Sequence, residues 1–261
     1  MQKIANLLRK LYPFDTFLVK PNGDTEDIYS HLSVFPLQDL DVLSNLLNMN
    51  PCKVSVEIGS WTGQSTCFIA TYIKEKSGKL FAIDNFKGSP GSEQVIYTTD
   101  VKETLLSNLR RMDVMDVVTI LDGNSDDFVS RFEDESIDFM FIDGDHRYSQ
   151  FSRDFKNWYP KIKIGGIFSG HDFNGANYEE ENIEKDFVNN IHHGVSKALM
   201  EYSNSGIDLK FSNGSSIWWT VKSGVFGSLS LAQNKGERDD KRTWEEEAGV
   251  FKSVGSPEFT R

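Results

Sequence analysis

Residues 56–66 read VEIGSWTGQST, and the reading of this stretch decides the fold. Val56, Glu57 and Ile58 close a short apolar run, Gly59 and Gly63 bracket a bend, and Ser65 and Thr66 open an amphipathic segment. The pattern predicts a strand, a tight loop and a helix N-terminus. Glycine lets the backbone turn sharply and lets a ligand come close, and the free N–H groups of a helix start favour a carboxylate or a phosphate. The two glycines form E-x-G-x-x-x-G, so the G-x-G-x-x-G spacing of a dinucleotide fold is absent. Taken alone, such a bend serves either a steric need or a ligand.

Working outward, short runs rich in β-branched and aromatic residues occupy 53–58, 79–83, 117–121, 137–142 and 166–169. Stretches able to form helices lie between them, at 65–76, 100–112, 126–132 and 147–162. Strands apolar throughout, alternating with helices, predict an α/β fold: a doubly wound, mostly parallel sheet with helices on both faces. Ligands of such sheets sit at the carboxyl ends of the strands. After Asp172 a polar loop precedes a predicted helix over 183–202. Two last strands, 207–211 and 216–221, flank Ser-Asn-Gly, which is hairpin turn chemistry, so the sheet should end antiparallel. Upstream, helices are predicted over 2–11 and 36–49, the second carrying Leu37, Leu40, Leu43, Leu46 and Leu47 at helical spacing. Three regions follow: an N-terminal helical segment 1–50 (a cap or an oligomer contact), a main domain 51–222, and a polar tail 223–261 with a short helix predicted at 244–251. The closing GSPEFTR reads like the translation of a cloning linker.

The chain of 261 residues carries a formal charge of -11, which argues against a nucleic-acid or anionic-membrane partner and for a small ligand. Its two cysteines, Cys52 and Cys67, form no disulfide framework and point to a reducing, cytoplasmic setting. The first residues show neither a leader pattern nor a spanning helix.

The strand ends hold the candidate chemistry. Asp84, in AIDNFKG, is placed to accept from two neighbouring hydroxyls of a ribose, or is an exposed loop acid. Asn124 and Ser125, in LDGNS, could meet a base edge or cap a helix. Asp143, Asp145 and His146 crowd the bend of FIDGDHRY, and His171 and Asp172 follow the next strand in GGIFSGHDF. His192 and His193 suit a helix start or loop, and Tyr148, Phe151, Phe155 and Trp158 recur at the spacing of a packed helix face.

In this order and at these intervals, the five motifs resemble those of class I S-adenosylmethionine-dependent methyltransferases, within them the branch of small-molecule O-methyltransferases and cephalosporin hydroxylase-like proteins. The resemblance runs over 51–221. It implies a seven-stranded sheet with an antiparallel last strand and S-adenosylmethionine as cofactor. The loop with Glu57, Gly59, Ser60, Gly63 and Ser65 would cradle the methionine part, Asp84 would hold the ribose, Asn124 and Ser125 would border the adenine, and Asp143 would close the site. In metal-dependent relatives the positions of Asp143, His171 and Asp172 hold magnesium. His171 departs from the usual carboxylate, and imidazole suits manganese, iron or zinc better, so either no metal or a divalent ion such as Mg or Mn is expected.

Methyl transfer is an in-line displacement that needs an acceptor oxygen about 3 Å from the methyl and a group to take its proton. His146, with an ordinary pKa near 6.5, is the expected base; Asp145 is the competitor or the carboxylate that orients it. The acceptor is expected to be a small hydroxylated molecule of sugar or natural-product type. Relatives often bury N-terminal helices between subunits, which suggests a homo-oligomer. The alternatives are a silent cofactor-binding module and, disfavoured by the glycine spacing, a nicotinamide dehydrogenase.

Overall fold

The structure, a computed structural model, describes residues 16–19, 25–27, 36–89, 95–97, 100–189 and 191–224. The helices predicted over 2–11 and 244–251 lie outside them. The glycine bend forms as expected: β3 (Val54–Ile58) runs into α2 (Gln64–Glu75) through a turn in which Gly59 and Gly63 both have positive φ. Four more strand–helix steps follow. They are β4 (Lys79–Asp84) and α3 (Val101–Arg111), β6 (Val118–Asp122) and α4 (Ser125–Phe128), β7 (Ile137–Ile142) and α5 (Tyr148–Trp158), then β8 (Ile162–Gly170) and α6 (His193–Asn204). The chain ends in β9 (Lys210–Phe211) and β10 (Trp218–Val221).

These strands make one seven-stranded sheet in the order β6-β4-β3-β7-β8-β10-β9. The pairs from β6 to β8 are parallel, and β10 runs antiparallel to both β8 and β9. The doubly wound sheet with an antiparallel last strand is therefore as expected. The direction reverses between β3 and β4 on one side and β7 on the other, the switch point at which such sheets bind ligands.

The alternation of side chains along β7 divides the core. Phe139 and Phe141 enter a cluster with α2, α3 and the earlier helix α1 (Leu37–Met49), whose Leu40, Leu43, Leu46 and Leu47 are all buried. Met140 and Ile142 enter a second cluster with α5 and α6. There Phe151, Phe155 and Trp158 are buried, which confirms their helical spacing as a packing face. Helices thus cover both faces.

Two local expectations change. The helix expected over 183–202 begins only at His193; a 3-10 turn at Glu180–Asn182 precedes its expected start, and a bridge between Val188 and Ile191 lies in its first half. A Cβ on Gly194 would sit 2.3 Å from the Tyr148 nitrogen and 2.4 Å from the His146 carbonyl oxygen, so the first turn of α6 abuts the start of α5. The second change lies in the first segment, read as helical. It contains β1 (Thr16–Val19) and β2 (Thr25–Asp27), which with β5 (Val95–Tyr97) form a separate antiparallel sheet in the order β2-β1-β5. Three- and four-residue strands carry too little periodicity to be read from a sequence. Among the described residues no helix is long and apolar enough to cross a membrane.

Candidate active site

The carboxyl ends of β3, β4, β7 and β8 are knitted together by backbone bonds that run one residue past each strand. Gly59 N–H donates to Ile83 O at 2.9 Å, Asp143 N–H to Ile58 O at 2.8 Å, and His171 N–H to Ile142 O at 3.0 Å. The candidate residues of four motifs therefore share one edge. Gly59 has φ +86°, and a Cβ there would lie 1.8 Å from the Asp143 carbonyl oxygen, so the bend after β3 rests directly on the bend after β7. Only glycine fits both the conformation and the contact.

On the β3–β4 side, Glu57 is fully buried and accepts from the hydroxyls of Thr66 at 2.5 Å and Ser60 at 3.2 Å. Burial pushes its pKa up to about 7, against the pull of the nearby Ser65, Thr66 and Ser60 hydroxyls. Glu57 Oε1 and the buried Thr62 Oγ1 have no partner among the described residues. Buried polar groups are normally satisfied, and a ligand in this bend would satisfy these. Asp84 accepts from Trp61 N–H at 2.6 Å and from Phe86 N–H at 2.7 Å. Burial raises its pKa despite those bonds. The expectation of an exposed loop acid is thereby set aside: the carboxylate is half-buried and shapes the bend it would share with a ribose.

After β6, Asn85 Nδ2 donates to Asn124 Oδ1 at 3.1 Å, joining two of the loops. Asn124 also forms a capping box with Asp127 at the start of α4. Ser125 differs from expectation. It is buried, and its hydroxyl donates inward to Asp154, whose pKa burial pushes up to about 7. It neither caps the helix nor faces outward.

On the β7–β8 side the charges converge. His146 Nε2 lies 2.8 Å from Asp172 Oδ2 and 3.5 Å from Asp143 Oδ1, while its Nδ1 lies 2.7 Å from Asp186 Oδ1. Burial alone would lower its pKa, but Asp172, Asp143 and Asp186 outweigh it and hold the ring well above 6.5. The expectation of an imidazole free at neutral pH runs against these carboxylates, which favour the charged ring. Asp145, expected to compete with or orient that ring, is instead tied to Arg147 through its backbone N–H at 3.0 Å and its guanidinium at 2.6 Å. An Arg at that position claims the fork before the imidazole can.

His171 Nδ1 lies 3.0 Å from Asp172 Oδ1, and its Nε2 lies 3.0 Å from Asp39 Oδ2 and 2.7 Å from Ser216 Oγ. Asp39, on α1, is 1% exposed and also accepts from the Ser216 backbone. Asp172 itself has φ +67°, a costly conformation for a non-glycine residue and one that clusters at functional sites. His192 Nε2 lies 3.4 Å from Asp172 Oδ1, and its Nδ1 is 2.7 Å from the Asp186 carbonyl oxygen. Sequence reasoning missed Asp39, Asp186 and the inward-facing His192. They stand 132, 40 and 46 residues from the groups they meet, positions 171, 146 and 146, and no local motif marks such pairings.

The donor chemistry here decides how well magnesium fits. Magnesium prefers hard oxygen ligands in a near-ideal octahedron, whereas three imidazole nitrogens surround Asp172. Magnesium, implied by the resemblance, does not suit this set; manganese, iron, cobalt or zinc does.

Residues 56–173 match the methyltransferase-domain family. Several solved structures share the fold. A Staphylococcus aureus protein provisionally assigned as a caffeoyl-CoA O-methyltransferase superposes with a TM-score of 0.56 at 17% identity, covering 74% of this chain and 87% of its own. The O-methyltransferase TomG of Streptomyces achromogenes, involved in tomaymycin synthesis and solved with S-adenosylmethionine, gives 0.52 at 16% identity, covering 85% and 89%. The O-methyltransferase NovP gives 0.52 at 18% identity, covering 70% and 79%. The glycine bend, the switch point and these likenesses agree on the fold, and residues 56–173 of the chain are similar to the methyltransferase-domain family.

Proposed function

We propose that this protein transfers the methyl group of S-adenosylmethionine to a hydroxyl oxygen of a small, hydroxylated acceptor of sugar or natural-product type. The observation that supports this reading is the contact of the Gly59 bend with the Asp143 backbone, because a cofactor held in that bend would bring its sulfonium end toward the acidic and imidazole groups. Glu57, Gly59, Ser60, Gly63 and Ser65 hold the methionine part, and Asp84 accepts from the ribose. Asn124, linked to Asn85, borders the adenine.

The acceptor oxygen attacks the methyl carbon while the carbon–sulfur bond breaks, and its proton must leave. Asp143 follows β7 at the bend on which the Gly59 turn rests, and its hydrogen-bond contact to His146 is long, at 3.5 Å. In this reading Asp143 accepts the proton and His146, held charged, steadies the carboxylate. A divalent ion at the cluster would add Lewis acidity toward the acceptor oxygen.

The test is incubation with S-adenosylmethionine and hydroxylated acceptors, read by mass spectrometry for product and S-adenosylhomocysteine. Asp143→Asn should lower kcat by about 10²–10⁴ while S-adenosylhomocysteine affinity changes only a few-fold. Cofactor binding with no methylated product from any acceptor class would favour the silent module instead.

A further inference from the structure

Three imidazoles meet Asp172, and each has its far nitrogen tied to an outer acceptor. His146 Nδ1 meets the Asp186 carboxylate, His192 Nδ1 the Asp186 carbonyl, and His171 Nε2 the Asp39 carboxylate. An acceptor on the outer nitrogen holds the proton there and turns the lone pair of the other nitrogen inward, which is the arrangement that surrounds metal-bound histidines. Inward, those nitrogens face carboxylate oxygens, and a cation between them would displace the proton that otherwise joins each ring to its carboxylate.

The spacing agrees. Bonds of about 2.1 Å place neighbouring ligand atoms roughly 3.0–3.4 Å apart. The inward nitrogens of His146 and His192 lie 2.8 and 3.4 Å from Asp172 oxygens, and the two rings are 4.1 Å apart. One residue, Asp186, orients both rings, and the left-handed backbone at Asp172 fixes the carboxylate between them.

We propose that His146, His192 and Asp172 form a two-histidine, one-carboxylate site for a first-row transition-metal ion of the manganese, iron, cobalt or zinc class, with Asp186 as its positioning residue. The ligand atoms of these three residues all lie within 4.8 Å of one another. Only Asp172 is shared with the triad of Asp143, His171 and Asp172 that the family resemblance implies for magnesium. The inference does not rest on methyl transfer, since metal binding is read without cofactor or acceptor.

The full chain, stripped with a chelator, is titrated separately with Co²⁺, Mn²⁺, Zn²⁺ and Mg²⁺ by calorimetry, and Co²⁺ also by its visible absorption. Co²⁺ should bind at one ion per chain and at least 100-fold more tightly than Mg²⁺. His192→Ala and Asp186→Asn should each weaken Co²⁺ by 10-fold or more, as loss of a ligand or of its orienting partner does. His171→Ala should change it only a few-fold. Because substitutions near the start of α6 could disturb folding, the wild-type protein supplies an independent reading: loading with Co²⁺ should give strongly shifted, exchangeable imidazole N–H resonances from both His146 and His192. Equal affinity for Mg²⁺, absence of those resonances, or a larger effect of His171→Ala than of His192→Ala would overturn the assignment, the last by placing the ion in the other triad.

Discussion

Two halves of one sheet edge hold their acids in opposite ways. At the ends of β3 and β4, the buried Glu57 and the half-buried Asp84 have hydroxyls and backbone N–H groups as their partners among the described residues. Burial dominates and both carboxyls are pushed up. At the ends of β7 and β8, Asp172 is half-buried, and His171 and His146 outweigh its burial and pull it well below the usual carboxylate range. The first half is polar with little charge, suited to a ribose and an amino-acid moiety. The second is dense in charge, suited to a cation and to moving a proton. Neutral partners let desolvation win, whereas paired charges reverse it.

The contact between the halves is where the comparison breaks most easily. Gly59→Ala would place a methyl group 1.8 Å from the Asp143 carbonyl oxygen at φ +86°, and neither backbone can yield. A loss of about 3 kcal/mol or more is expected in urea unfolding, with cofactor and metal binding both damaged. An alanine variant of native stability would mean that the halves are not in contact.

Glu57 sharpens the comparison through pH. Its carboxyl keeps its proton to about 7 in the folded chain and titrates near 4.5 when unfolded. Its contribution is therefore complete below pH 4.5 and is lost as pH rises to about 7, a change on the order of 3 kcal/mol. Asp154 acts in the same sense, from 3.8 to about 7. Unfolding free energies measured across pH 4–8 should fall less steeply for Glu57→Gln and for Asp154→Asn than for the parent chain. An unaltered slope in both would place the titration elsewhere.

Asp84→Ala removes bonds from one half only. With about 1.5–3 kcal/mol for each charge-assisted bond to a ribose hydroxyl, S-adenosylhomocysteine should bind at least tenfold more weakly by calorimetry, with Co²⁺ affinity unchanged. A parallel loss of both would show that Asp84 supports the edge as a whole. The smallest effect belongs to Asp145→Asn. Because the carboxylate is already committed to Arg147, kcat should stay within a few-fold. A fall of 100-fold would return Asp145 to the role of proton acceptor.

The division between sequence and structure follows the range of the interactions. The sequence by itself determined the order of strands and helices that build the seven-stranded sheet, the glycine bend and the strand-end positions of Glu57, Asp84, Asp143 and Asp172, because hydrophobic period and turn chemistry are written within a few residues. It also marked His171 and His146. Tertiary structure alone decided what those groups do. Asp145, next to His146 in the chain, turned to Arg147, and Ser125 turned inward to Asp154. Asp39 from α1 and Asp186 and His192 from the segment before α6 came to the cluster instead. A pKa or a ligand set depends on which charges meet in a place of low dielectric, and such meetings are fixed by packing between segments distant in the chain.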